Sequence, residues 1–174
     1  ALSDKSHPCQ ILSDIYTLKE RFNTLKINII WMGDINNVCY SLYEAAKIID
    51  DINLQICSDE TLFKNLDWDK NKNIKFFNDI SKINYKNAHC VMTDVFISMN
   101  DEINSRKSEN LIKYQINSDI MNKTNDHCVF MHCLPAKVGS EVTDEVINSE
   151  KSIVWDQAKN RLLVQKKLLQ YLKW

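Results

Sequence analysis

Apolar residues recur at helical spacing through Ile11, Leu12, Ile15, Leu18 and Phe22, which predicts a first helix over residues 7–24. Ser6 stands where an N-cap belongs, and Pro8 falls in the first turn, where a missing N–H costs nothing. The pattern then changes. Residues 27–32 (Ile-Asn-Ile-Ile-Trp-Met) form a short apolar run that stops at Gly33, as a buried strand does. Helical spacing returns over 36–49, with Val38, Leu42, Ala45, Ala46 and Ile49 on one side. Further strands are predicted at 54–57, 89–93, 127–132 and 152–155. Residues 67–73 read as a polar loop, 76–87 as a weak helix, 102–114 as a solvated helix and 141–148 as a short helix. A closing helix is predicted over 156–174, carrying Ala158, Leu162, Leu163, Leu168, Leu169 and Leu172.

Strands and helices alternate, and the strands are continuous apolar runs. Both features predict an α/β fold: a doubly wound, mostly parallel, Rossmann-like sheet with helices on both faces. Ligands of such sheets lie outside the carboxyl ends of the strands. That rule singles out Gly33-Asp34-Ile35-Asn36-Asn37, residues 94–100, and Cys133-Leu134-Pro135.

Composition narrows the classes. A length of 174 residues suits one domain. Net charge is −1 with both signs interspersed, so no basic field exists for nucleic acid or anionic lipid. No apolar run is long enough to span a membrane. The polar start lacks the apolar core of a signal peptide and lacks Met, which suits a fragment or a processed product. Six irregularly spaced cysteines without a CxxC suit reduced thiols in a cytoplasm better than a disulfide framework. With only two glycines in the chain, each is a candidate for a position where the backbone requires one.

Each strand end offers chemistry beside a plainer reading. After the first strand, a helix start with Asn36 and Asn37 could hold an anion, or one Asn could simply cap the helix. After the third, Asp94 could hold an ammonium and Ser98 a small polar group, or Asp94 could merely open a turn. After the fourth, Cys133 beside His132 could be a nucleophile, a base or a ligand, or simply a buried strand cysteine. The doublets His127-Cys128 and His132-Cys133 raise a zinc reading, a weak one because adjacent strand residues point to opposite faces. His7 and Gln10, three apart at a helix start, can face one ligand. Arg161 could grip a phosphate or form a surface salt bridge.

Taken in order, the stretches His-Pro-Cys-Gln (7–10), Trp-Met-Gly-Asp-Ile-Asn-Asn-Val (31–38), Thr-Asp-Val-Phe-Ile-Ser-Met (93–99), Met-His-Cys-Leu-Pro-Ala (131–136), Glu-Val-Thr-Asp-Glu-Val (141–146) and Asp-Gln-Ala-Lys-Asn-Arg (156–161) resemble the ornithine carbamoyltransferases, within the aspartate/ornithine carbamoyltransferase superfamily. The resemblance spans nearly the whole chain and implies carbamoyl transfer from carbamoyl phosphate to ornithine, giving citrulline and phosphate. It implies that Asn37, Asp94, Ser98 and Met99 line the ornithine site. It implies that His7, Gln10, Arg161, Cys133 and Leu134 contact carbamoyl phosphate, with Cys133, Asp94 and His7 catalytic and no metal or cofactor. Residues 1–26 are then the remnant of an interdomain helix and 27–174 the ornithine-binding domain, the carbamoyl-phosphate domain with its Ser-x-Arg-Thr motif being absent. The full-length family member is expected as a homotrimer. Two departures stand out: Asn100 where Gly usually follows Ser-Met, and Lys159 where Glu usually precedes Asn-Arg. They motivate an alternative, a non-catalytic amino-acid-binding or partner-binding relic. A flavodoxin-like nucleotide module is a weaker third reading, without a glycine-rich phosphate loop to support it.

Overall fold

The computed structural model describes residues 3–63, 71–97 and 109–173. Helix α1 (Pro8–Phe22) leads into strand β1 (Ile27–Met32), helix α2 (Asn37–Ile48), strand β2 (Ile52–Cys57), a single turn α3 (Glu60–Phe63) and strand β3 (Ile74–Phe77). Strand β4 (Cys90–Thr93), helix α4 (Ser118–Asn122), strand β5 (Val129–His132), turn α5 (Asp144–Ile147) and the long α6 (Val154–Tyr171) complete the order. The sheet runs β3-β2-β1-β4-β5, and every neighbouring pair is parallel. The α/β expectation of a doubly wound parallel sheet therefore holds. The chain winds outward from β1 to β3, then returns to the far side of β1 to lay down β4 and β5. The reversal falls between β1 and β4, the place where sheets of this kind form their ligand-binding crevice.

Both faces of the sheet are covered, as its unbroken apolar strands require. On one face Ile29, Trp31, Leu54, Ile56, Met92 and Met131 pack under α1 and α2 through Ile11, Leu18, Val38, Leu42 and Ala46. On the other, Ile30, Met32, Val91 and Phe130 meet Tyr85, Leu111, Tyr114, Ile120, Met121 and Val146. Among the described residues, this second layer is built from turns and one-turn helices.

Several expectations are corrected. The fifth strand is β3, not residues 152–155. Ser152 makes one isolated parallel bridge to Phe130, and α6 already begins at Val154. Residues 76–87 are not helical: Phe76 and Phe77 finish the edge strand β3, and only a 3-10 turn, Ile80–Lys82, follows. There Asp79 accepts from the Ser81 N–H, a local bond that competes with helix. The helix at 141–148 shrinks to Asp144–Ile147 because Glu141 and Val142 turn fully inward. The first helix is preceded by His7 rather than Ser6, and the His7 side chain makes no capping bond. Of 102–114, residues up to 108 lie outside the described ones and Ile112–Tyr114 is a 3-10 turn. Residues 67–70 of the polar loop lie outside them as well.

Gly33 ends β1 with φ +117°, and a Cβ there would stand 2.6 Å from Cε1 of the buried Phe96 and 3.1 Å from Thr93 Oγ1. Thr93 Oγ1 itself donates to the Met32 carbonyl at 2.6 Å, so neither neighbour can easily retreat. Gly33→Ala combines backbone strain with overpacking and is expected to lower stability by roughly 2–4 kcal/mol in urea unfolding. A loss under about 0.5 kcal/mol would mean that β1 and β4 can separate here at little cost.

Candidate active site

Asn36 and Asp94 face each other across the reversal of the sheet. The Asn36 side-chain oxygen caps α2, accepting from Val38 N at 3.0 Å and Cys39 N at 3.1 Å. Its Nδ2 donates to Asp94 Oδ2 at 2.7 Å. Of the two asparagines, then, Asn36 is the cap. Asn37, at the first helical position, points its Nδ2 to the exposed Ser3 carbonyl at 2.8 Å. The turn before them is pinned by Trp31, whose indole N–H donates to the Asp34 carbonyl at 2.8 Å.

Asp94 is only 8% exposed and its other oxygen, Oδ1, accepts from Val95 N at 2.8 Å and from the Cys133 thiol at 3.1 Å. Burial raises the Cys133 thiol well above its ordinary value, and the charge and hydrogen bond of Asp94 raise it further. Cys133 is therefore a neutral S–H donor and not a resting thiolate nucleophile.

The segment after β5 is shaped by a buried pair. His132 Nε2 donates to Glu141 Oε1 at 3.2 Å, and both side chains are fully buried. His132 Nδ1 accepts from Leu134 N at 2.9 Å, which fixes the tautomer with the proton on Nε2. Burial alone would raise the Glu141 carboxyl, but hydrogen bonds from His132 and the Lys137 N–H outweigh it and hold the group below its usual range. Leu134 takes φ +55°, a left-handed conformation secured by that contact to His132, and the Leu134–Pro135 peptide is cis. Asp94, His132 and Cys133 place ligand-type atoms within 4.8 Å of one another. The expectation that His132 and Cys133 diverge is thus corrected: β5 ends at His132, and strand alternation stops there. Both imidazole nitrogens are nonetheless committed, to Glu141 and to Leu134 N, so His132 has no lone pair to offer a cation.

A third group of residues joins α1 to α6. Gln10 Oε1 accepts from Arg161 Nη1, and Gln10 Nε2 donates to Asp14 Oδ1 at 2.8 Å. The same Asp14 oxygen accepts from Gln157 Nε2 at 2.8 Å, and Gln157 Oε1 accepts from the His132 N–H at 3.0 Å. Arg161 sits within α6, on the same face as Gln157 one turn earlier. Its Nε is buried with no hydrogen-bond partner among the described residues, as is His7 Nδ1. Burial lowers the His7 imidazole, the Arg161 charge lowers it further and Asp94 partly opposes both, so His7 is neutral near pH 7.

The structure thus brings Asp94 and Cys133 into contact, and likewise Gln10 and Arg161, with His7 within electrostatic reach of both Asp94 and Arg161. Ser98, Met99 and Asn100 lie outside the described residues. Sequence reasoning missed Asp14, Gln157 and Glu141. Only the i, i+4 spacing of Gln10 with Asp14 and of Gln157 with Arg161 hinted at the first two.

Comparison with known proteins decides the family. The family model described as aspartate/ornithine carbamoyltransferase, Asp/Orn binding domain, matches residues 25–172. The chain belongs to the aspartate/ornithine carbamoyltransferase family. An ornithine carbamoyltransferase of Brucella abortus is 41% identical over 97% of the chain and 55% of its own length. One from Methanocorpusculum labreanum is 40% identical over 97% of the chain and 57% of its length. Among solved structures, the Burkholderia thailandensis ornithine carbamoyltransferase superposes with a TM-score of 0.84 at 33% identity, covering 98% of the chain and 56% of that protein. The Pyrococcus furiosus enzyme gives 0.83 at 37%, covering 97% and 56%. The chain therefore spans a little over half the length of the relatives it matches. Lys159 is exposed on α6, whereas Gln157 and Asn160 beside it are buried, so the departure at 159 changes the surface and leaves the buried network intact.

Burial pushes the Asp14 carboxyl up to about 7, with hydrogen bonds from Gln157 and Gln10 and the charge of Arg161 pulling the other way. Between about 4 and 7 the folded chain keeps a proton that the unfolded chain has lost, so this group's contribution to stability falls as pH rises through that window. Above 7 both states are ionised and the penalty is complete, at most about 4 kcal/mol. Asp14→Asn removes the titration. Urea unfolding at several pH values is expected to show the variant gaining a few kcal/mol on the parent between pH 4.5 and 7.5. A stability difference independent of pH would rule out a carboxyl held neutral by burial.

Proposed function

We propose that this chain is the acceptor-binding half of an ornithine carbamoyltransferase. The observation that carries the reading is the Asp94 carboxylate at the sheet reversal, held by Asn36 and touching the Cys133 thiol. A substrate amine is an ammonium at neutral pH. It must be held by a negative group and lose a proton before it can attack. Asp94 supplies the charge and an acceptor for the proton, and the uncharged Cys133 thiol can exchange its hydrogen bond for one to the amine. Asn37 donates to a backbone carbonyl at the crevice rim, a contact that the amino-acid end of ornithine would replace. Ser98 and Met99 complete that site by family resemblance.

The donor half of the reaction falls to His7, Gln10, Arg161 and Leu134. The amine attacks the carbonyl carbon of carbamoyl phosphate. The bond from that carbon to the bridging oxygen then breaks, phosphate leaves with the electron pair, and the amine proton passes to Asp94 or to the phosphate. Neutral His7 donates a hydrogen bond to the carbonyl oxygen as charge grows on it, and Arg161 neutralises the departing phosphate. Carbamoyl phosphate is already an activated anhydride, so the chemistry asks for no cofactor. The carbamoyl-phosphate-binding half, with residues 1–26 leading from it, belongs to the rest of the family length, and the working assembly is a homotrimer in the cytoplasm. Among the described residues no helix is long and apolar enough to cross a membrane.

Citrulline formation from ornithine and carbamoyl phosphate tests the reading, with the partner half supplied by the Brucella abortus relative, joined or in trans. Turnover is expected, and Asp94→Asn is expected to reduce kcat by about 10² or more. A folded assembly that makes no citrulline, or one indifferent to Asp94→Asn, would leave the non-catalytic binding module as the better account.

A further inference from the structure

Asp14 is 1% exposed, lies on α1 within electrostatic reach of Asp94 and Cys133, and takes no part in the chemistry above. Its position in the hydrogen-bond pattern is unusual. One oxygen, Oδ1, accepts from two carboxamides, Gln10 Nε2 and Gln157 Nε2, each at 2.8 Å. A carboxamide has one donor end and one acceptor end, so fixing the first fixes the second. With its NH2 on Asp14, Gln10 must turn Oε1 toward Arg161, and Gln157 must turn Oε1 toward the N–H of His132. Were either amide reversed, its NH2 would face another donor. The chain Arg161–Gln10–Asp14–Gln157–β5 therefore has one self-consistent sense, and Asp14 sets it.

We infer that Asp14 is a positioning residue, aiming Arg161 through Gln10 and holding the β5 end that carries Cys133 through Gln157. The inference rests on the reading of Arg161 as a phosphate-binding group. Two observations point to orientation rather than simple cohesion. The two arms end at the two halves of the site, the cation on α6 and the thiol after β5. Arg161 keeps a buried Nε unused by any described residue, so its engagement with Gln10 leaves donors available for an anion. What Asp14 contributes is a shared acceptor, which Asn can also provide and an apolar residue cannot.

The chain has three arginines, at 21, 106 and 161, so the Arg161 Nε–H signal is assignable by nitrogen-edited NMR with Arg161→Lys as reference. In the parent chain and in Asp14→Asn this signal is expected to be slowly exchanging. In Asp14→Leu it is expected to collapse toward the behaviour of a mobile arginine. In the assembled enzyme Asp14→Leu is expected to raise KM for carbamoyl phosphate about tenfold or more, with Asp14→Asn close to the parent. If Asp14→Leu does not fold, Asp14→Ser, too short to reach both amides, takes its place. An Arg161 signal indifferent to loss of the acceptor, an Asn variant that fails like Leu, or an unchanged KM for carbamoyl phosphate would each overturn the inference. Absence of citrulline from the parent assembly would instead sink the proposed function, and the Arg161 signal would still judge the positioning claim by itself.

Discussion

The hydrogen bond from Asn36 to Asp94 spans the place where the sheet reverses direction, and the rest of the site is arranged around it. A parallel sheet that winds first one way and then the other cannot close its strand ends with a single run of connections, so the connections that leave the ends of β1 and β4 diverge. Asn36 serves both sides of that divergence, accepting from the first turn of α2 while donating to the carboxylate after β4. Gly33 makes the arrangement possible, because β1 must turn away at once and pass Phe96 at a distance no side chain tolerates. Sheet topology, a helix cap and one glycine thus fix a buried carboxylate at a crevice, before any substrate is considered.

Around that carboxylate the protein places groups that are polar but mostly uncharged. The thiol beside it is a donor, the His7 imidazole is neutral, and the two glutamines act through amide dipoles. The fully buried charge of Glu141 is matched by the His132 N–H and the Lys137 N–H rather than by a second full charge. Such networks stabilise little relative to a well-packed apolar core, yet every unmade bond within them costs about 1–3 kcal/mol. They hold one geometry against its near alternatives. For Leu134, with its left-handed backbone, that geometry depends on a histidine bonded to a glutamate nine residues further on.

The parts of the fold legible in the sequence are those where one local signal decides. β1, β4 and β5 are apolar runs buried on both faces, and α1 and α2 carry a clean apolar stripe. β3 escaped notice because an edge strand has a partner on one side only, and Ile74-Lys75-Phe76-Phe77 lacks a long apolar run. Ser152 to Trp155 misled in the opposite way. Ile153 and Val154 are buried where the chain passes β5, but one bridge is all the pairing the segment makes before α6 starts, and Trp155 is exposed. In the site, Asp94 and Cys133 follow their strands directly and could be read from that placement. Asp14, Gln157 and Glu141 could not, because each matters through a partner at least nine residues away, a relation that neither propensity nor periodicity encodes.

The electrostatic layout of the crevice gives the carbamoyl-transfer reading its direction. Asp94 marks an anionic end at β4 and Arg161 a cationic end at α6. His7 lies where both fields reach it, lowered by one and raised by the other. An amine acceptor and a phosphate-bearing donor brought into such a field sort themselves, ammonium toward the carboxylate and phosphate toward the guanidinium, with the reacting carbon left between them near the neutral imidazole. An aspartate acceptor would set its extra carboxylate against Asp94 in a site shielded from water, where like charges repel most strongly. The same argument disfavours a purely vestigial module. Under the proposed function that charge separation orients two substrates, which drift would have no reason to keep, whereas the surface change at Lys159, which leaves the separation untouched, is the kind that drift produces freely.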